Sequence, residues 1–296
     1  MTDIDPVMHY EKQFAEVQGK RMAYVDTDGP GQPIVFLHGN ITQSYMWRNI
    51  IPHVEPLARC IAIDNIGQGD SDKLEDSGPS SYRLAEHQTY INSLLDQLDL
   101  GNEVVLMMHD WGVQLGLTWA NEHRDRVKGV AHMQGLMGNL TWDFWNPEVS
   151  KLMQYFRTEE GGALVLAENH FVEKVLPAMI LGDLPEEVWN EYRRPFLNPG
   201  EDRRSTLTWP REIPVEGEPA DVLNVIEANN TWLEESPIPK LYIHVEPETV
   251  MKGHVLERVR TFPNQTEVRV KGLHYVQEDS PHEIGVALAE WYQSLS

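Results

Sequence analysis

The chain has 296 residues, 41% hydrophobic and 24% charged, enough for one large buried core or two smaller ones. Acidic side chains outnumber basic ones 46 to 24, a net charge of −22. That charge repels phosphate backbones and anionic lipid and excludes nucleic acid and membrane surfaces as expected partners.

The densest basic spots, Arg193-Arg194 and Arg203-Arg204, are each flanked by acids and read as solvated surface. One cysteine, Cys60, leaves no intrachain disulfide and no cysteine-built metal site. Its neighbours Ile61, Ala62 and Ile63 predict a buried, inert thiol. Residues 1–14 carry Asp3, Asp5 and Glu11 and no apolar run, so no signal peptide is visible. Nothing approaches the ~18 apolar residues of a membrane span. A soluble, cytoplasmic protein is expected.

Along the chain, Phe14–Val17 and Arg21–Asp26 flank Gly19-Lys20 and read as a hairpin. Ile34–Leu37 is a continuous apolar run, as in strands covered on both faces. A helix is predicted over Ser44–Leu57, a strand over Cys60–Ile63, a Gly/Asp/Ser-rich loop over 64–82 and a helix over Leu84–Leu98. Strand Val104–Met108, helix Val113–His123 and strand Val127–His132 follow. From about 135 to 214 the pattern turns helical and holds Trp142, Trp145, Trp189 and Trp209. Alternation resumes with helix Ala220–Leu233, strand Leu241–Val245, helix Lys252–Thr261 and strand Glu267–Val270. The last helix begins at Ser280-Pro281-His282-Glu283, the signature of a capping box. This order predicts an α/β protein: a mostly parallel central sheet flanked by helices, built from 1–134 and 215–296, with a helical cap inserted over 135–214.

Ligands of open α/β sheets sit beyond the carboxyl ends of the strands. The residues that follow the predicted strands are His38-Gly39-Asn40, His109-Asp110-Trp111-Gly112, Gln134, Glu246-Pro247-Glu248 and Gly272-Leu273-His274. Met108–Gly112 occupies the place of a G-x-S-x-G nucleophile elbow, with Asp110 where serine would stand. No G-x-S-x-G occurs in the chain, which disfavours serine chemistry. A carboxylate on a sharp strand-to-helix turn can attack an electrophilic carbon and form an ester. A histidine such as His274 can then activate water to split it. The competing role for Asp110 is a plain helix cap.

These segments, together with Ser44–His53, Trp209–Pro214 and Gly272–Asp279, resemble the haloalkane dehalogenases of the α/β-hydrolase superfamily over nearly the whole chain. The nearest branch also contains the coelenterazine-using luciferases. The resemblance implies cleavage of carbon–halogen bonds to alcohol, halide and a proton, without cofactor or metal. It implies a haloalkane and a halide ion as the only partners. Asp110 would be the nucleophile and His274 the base. Asn40 and Trp111 would hold the halide through side-chain N–H groups, and the oxyanion through backbone N–H groups. Phe144, Met153, Phe171, Val175, Leu207, Pro210 and Val250 match family pocket positions. His244, at the end of a strand, is open between tunnel lining and packing.

Two positions depart from the family pattern. Met108 is bulkier than the small residue preferred two places before an elbow nucleophile. Gln134 stands where this branch carries the acid that orients the histidine. Either another acid serves or ester hydrolysis is crippled. Glu248, at the superfamily's commoner acid position, is the candidate replacement paired with His274. An epoxide hydrolase, with Tyr155 and Tyr192 as its lid tyrosines, a coelenterazine monooxygenase and an inactive binding protein are the competing functions.

Overall fold

The computed structural model describes residues 4–295. Eight strands form one sheet: β1 Lys12–Val17, β2 Lys20–Asp26, β3 Ile34–Leu37, β4 Cys60–Ile63, β5 Val104–His109, β6 Val127–Met133, β7 Lys240–Glu246 and β8 Gln265–Lys271. Their order is β1-β2-β4-β3-β5-β6-β7-β8. β1 and β2 form the expected hairpin, and β2 runs antiparallel to β4. Every pair from β4 through β8 is parallel. The carboxyl ends of β3, β5, β6, β7 and β8 therefore share one edge.

The apolar runs are continuous because both faces are covered. Val35, Leu37, Ile61, Ile63, Leu106 and Met108 belong to one buried cluster. Their strand neighbours Ile34, Phe36, Cys60, Ala62, Val105 and Met107 belong to the other. Period-two geometry sends alternate residues to opposite faces, and here both faces are core. Cys60 is buried, as expected, and burial pushes its thiol well up.

Three local expectations fail. The first is at Arg203 and Arg204, which are buried rather than solvated: Arg203 donates to the carbonyls of Leu166, Ala167, Phe196 and Leu197, and Arg204 pairs with Glu201. The helix predicted over Ser44–Leu57 is broken into a 3₁₀ turn, Ser44–Trp47, and one short turn, Ile51–Val54. Pro52 lacks the N–H that a continuous helix would direct at Arg48, so the helix must restart there. Ser280 does not form a capping box with its side chain; its hydroxyl donates to the Lys271 carbonyl at 2.6 Å. It ties the last helix, Pro281–Ser294, to the end of β8 instead.

Between β6 and the helix Ala220–Glu235 the chain makes helices and turns, with two isolated bridges, Leu140–Val215 and Val215–Glu218, near its base. The main helices of this excursion are Pro147–Tyr155, Glu159–Glu168, Glu186–Arg193 and Arg204–Glu212, with a π-helical turn over Phe171–Val175. It lies over the carboxyl edge: the Tyr275 N–H donates to the Met179 carbonyl at 3.1 Å, and the Leu181 N–H to Asp279 at 2.8 Å.

Candidate active site

Asp110 sits between β5 and the helix Trp111–Glu122 with φ 53° and ψ −127°. A non-glycine residue in this region is strained and persists only where its surroundings enforce it. The turn brings the helix hard against β3: a β-carbon on Gly112 would overlap the Leu37 carbonyl oxygen. Gly116, one turn on, makes room for the bulky Met108 sulfur. The side chain of Asp110 makes no cap hydrogen bond to its own helix. Its Oδ2 accepts from the Asn40 N–H at 2.7 Å, and the Trp111 N–H also favours its charged form. Its Oδ1 lies 3.7 Å from His274 Nε2. Burial pushes the Asp110 carboxyl above its ordinary range, and those two N–H groups oppose the rise.

The loop that supplies Asn40 is fixed by His38, whose Nε2 accepts from the Asn65 N–H at 3.0 Å while Nδ1 faces the Gly39 carbonyl at 2.8 Å. One nitrogen accepts and the other donates, so the ring is neutral. Burial lowers it to about 4. Asn40 Nδ2 reaches the Thr206 carbonyl at 3.3 Å. Trp111 stacks on Trp209 at 4.7 Å, and His87 stacks behind Trp209 at 4.2 Å. Both expected halide donors therefore rest on the helix Arg204–Glu212. No protein acceptor takes the Trp111 indole N–H among the described residues.

His274 follows β8 and is buried, which lowers its ring to about 4. Sequence reasoning gave His109 no role, yet its Nε2 donates to the His274 carbonyl at 2.8 Å. Its ring lies 4.8 Å from that of His274. The His-Asp pair at a strand end was the available signal, absorbed into the elbow motif.

The expected acid is not beside the histidine. His274 Nδ1 is buried with no hydrogen-bond partner among the described residues. The Glu248 carboxylate lies 3.9 Å from His244 Nε2, on a side chain 44% exposed, and no contact joins it to His274. Gln134 follows β6 directly, and the His109–Met133 register sets it beside Asp110. Its Oε1 accepts from the Thr249 hydroxyl at 3.0 Å. His244 is buried, with Nδ1 against the Tyr242 hydroxyl at 3.1 Å.

The expected pocket residues divide. Phe171 and Leu207 are buried in one apolar cluster, with Met153 and Val175 against it. Phe144 packs against the other cluster, with the Lys252 ammonium 4.9 Å from its ring centre. Pro210 is buried inside its helix, and Val250 is half-buried after β7. The two lid tyrosines do not face Asp110: Tyr192 donates to Glu278 at 2.5 Å, and Tyr155 is 41% exposed. This arrangement offers an epoxide no pair of phenol donors.

The alpha/beta hydrolase fold family matches residues 32–281. A haloalkane dehalogenase of Sphingobium indicum is 52% identical over 285 residues, 96% of each chain. The chain belongs to the haloalkane dehalogenases. Within this family, the crystal structure of the dehalogenase DbeA from Bradyrhizobium elkani superposes with a TM-score of 0.90 at 36% identity, covering 96% of this chain and 98% of that one. A neighbouring activity is also similar: the coelenterazine h 2-monooxygenase of Renilla reniformis is 40% identical over 255 residues, 85% of this chain and 80% of that one.

Proposed function

We propose that the chain cleaves carbon–halogen bonds of haloalkanes through Asp110, with residues 135–214 acting as the cap over the reaction. The observation that carries this is the different surroundings of the two Asp110 oxygens. Oδ2 accepts from the Asn40 backbone N–H, with the Trp111 N–H also favouring the carboxylate, while Oδ1 faces His274. Oδ1 attacks the carbon in line, the C–O bond forms, and the C–X electron pair leaves with the halide. Donors aimed at charge that develops only in the transition state are commonly the largest catalytic contribution. The Trp111 indole donates and cannot accept, which suits a large, weakly basic anion, and the second Nδ2 hydrogen of Asn40 is the other candidate donor.

Oδ2 becomes the ester carbonyl oxygen already seated among the N–H groups that stabilise it as an oxyanion. Water then attacks the ester carbon and gives its proton to His274 Nε2. The Asp110 Cγ–Oδ1 bond breaks, and the His274 imidazolium returns its proton to the departing oxygen so that alcohol leaves. The carboxyl rebuilt with the water oxygen ionises and releases the proton that accompanies the halide. Substrate reaches the site from the cap side, where Phe171, Leu207 and Met153 supply apolar surface.

The test is bromide release from 1-bromobutane and 1,2-dibromoethane, followed with a bromide-selective electrode. Wild-type protein should release at least one bromide per chain, and Asp110→Ala none. Equal release by Asp110→Ala would remove the nucleophile from the mechanism.

A further inference from the structure

We propose that this chain captures haloalkanes covalently: with Gln134 committed to Thr249 and no acid at His274 Nδ1, the alkyl–Asp110 ester accumulates and is hydrolysed far more slowly than it forms. The inference rests on the nucleophilic role given to Asp110 above.

The two half-reactions ask different things of the site. Alkylation needs a carboxylate and halide donors, and no proton moves. Hydrolysis needs a base that becomes an imidazolium as water loses its proton. Burying a cation without a counter-charge is costly, because the low-dielectric interior does not replace its hydration. An acid at Nδ1 would offset that cost and hold the ring in the right tautomer. In the serine-protease template, replacing that acid by its amide lowers turnover by about ten-thousand-fold.

Here the charge is missing in a specific way. One carboxylate lies within ion-pair distance of His274 among the described residues, and it is Asp110 itself, 3.7 Å from Nε2. Alkylation converts that carboxylate into a neutral ester. The alkyl-enzyme therefore presents water with an imidazole that has lost its one anionic neighbour among the described residues. Glu248 is turned to His244, 3.9 Å away. Gln134 sits at the strand end where an acid could act, but its carbonyl oxygen is held by the Thr249 hydroxyl. That hydroxyl would serve a carboxylate oxygen equally well, so the site can accept Gln134→Glu without a new unpartnered donor.

Full-length protein mixed with excess 1-bromohexane should release one bromide per chain in a burst, then continue at least about a hundredfold more slowly. Intact-mass measurement after an acid quench should show one hexyl group in place of a proton, and peptide mapping should place it on Asp110. Gln134→Glu should turn the burst into continuous release and abolish the adduct. His274→Gln should lengthen the adduct lifetime less than about tenfold, since the ring already contributes little. Glu248→Gln should leave that lifetime unchanged. Linear release over many turnovers with no adduct would overturn the inference and leave the proposed function standing. Loss of the slow phase in Glu248→Gln would identify Glu248 as the working acid and overturn it too. With neither bromide nor adduct, the proposed function itself falls, and the inference with it.

Discussion

In the proposed mechanism Asp110 alone decides whether the chain has chemistry, and its conformation is set in part by glycines that carry no side chain. Gly39 is the sharpest case. A β-carbon there would overlap Asp110 Oδ2 and stand 2.6 Å from the Trp111 nitrogen, inside the N–H cradle that holds the carboxylate. Gly39→Ala should push the carboxylate off the Asn40 N–H and slow the bromide burst by about 10²-fold, the usual consequence of roughly 1 Å of misplacement at a reacting centre. Far-UV circular dichroism should stay unchanged, because the clash is confined to the loop. A burst as fast as wild type would show that the cradle does not position the nucleophile. The strand-end residues Asn40, Asp110, Trp111 and His274 were legible in the sequence because a parallel sheet brings its carboxyl ends to one edge. The orientation of Glu248 was not, since spacing within the loop after β7 does not decide between His244 and His274. The anchoring of His274 through its own carbonyl by His109 was hidden for a similar reason: both groups belong to long-range geometry.

Among the elements, the regular strands were the easiest to read, because a buried parallel strand is an uninterrupted apolar run. Short turns between them were harder, and Ser44–Leu57 shows why: apolar spacing continues through Pro52 while the hydrogen-bond ladder cannot. What holds that broken segment is a buried ion pair invisible to local sequence. Arg48 donates to both oxygens of Glu278 at 2.6 and 2.7 Å, and its Nε donates to the Asp5 carbonyl. Tyr192, from the helical excursion, donates to the same carboxylate. Three distant stretches thus meet at a residue four positions beyond His274. Arg48→Met leaves the Glu278 charge buried without its counter-ion and should cost about 3–5 kcal/mol in urea unfolding. Arg48→Met combined with Glu278→Leu should recover part of that loss, because the unpaired charge is then gone. A loss below about 1 kcal/mol in the single variant would mean that the pair contributes little to the fold.

For the whole molecule, the net charge of −22 and a set of buried neutral histidines pull the pH dependence of stability in opposite directions. Burial lowers His38, His132 and His274 to about 4 and His87 and His109 to about 3. In the unfolded chain each ring titrates near 6.5, so below that pH the unfolded state binds protons that the folded state refuses. Stability therefore falls as pH drops through 6.5, by up to about 1.4 kcal/mol per pH unit for each ring, and continues to fall until the folded rings protonate near 4. Asp110 and Asp279 work the other way: burial raises both, so they favour the fold on acidification. They are two groups against five. Relief of negative self-repulsion also favours the fold, but between pH 6.5 and 5 most carboxylates remain ionised and little of it is released. The histidines should win in that window. Urea midpoints measured from pH 7 to 4.5 should fall steeply, with a slope corresponding to uptake of three or more protons on unfolding. Added salt should raise the midpoint at pH 7 by screening the acidic surface, while leaving the acid-side slope in place because the rings are buried. A flat midpoint between pH 6.5 and 5 would show that the rings titrate in the fold as they do in water, and would remove burial as the source of their neutrality.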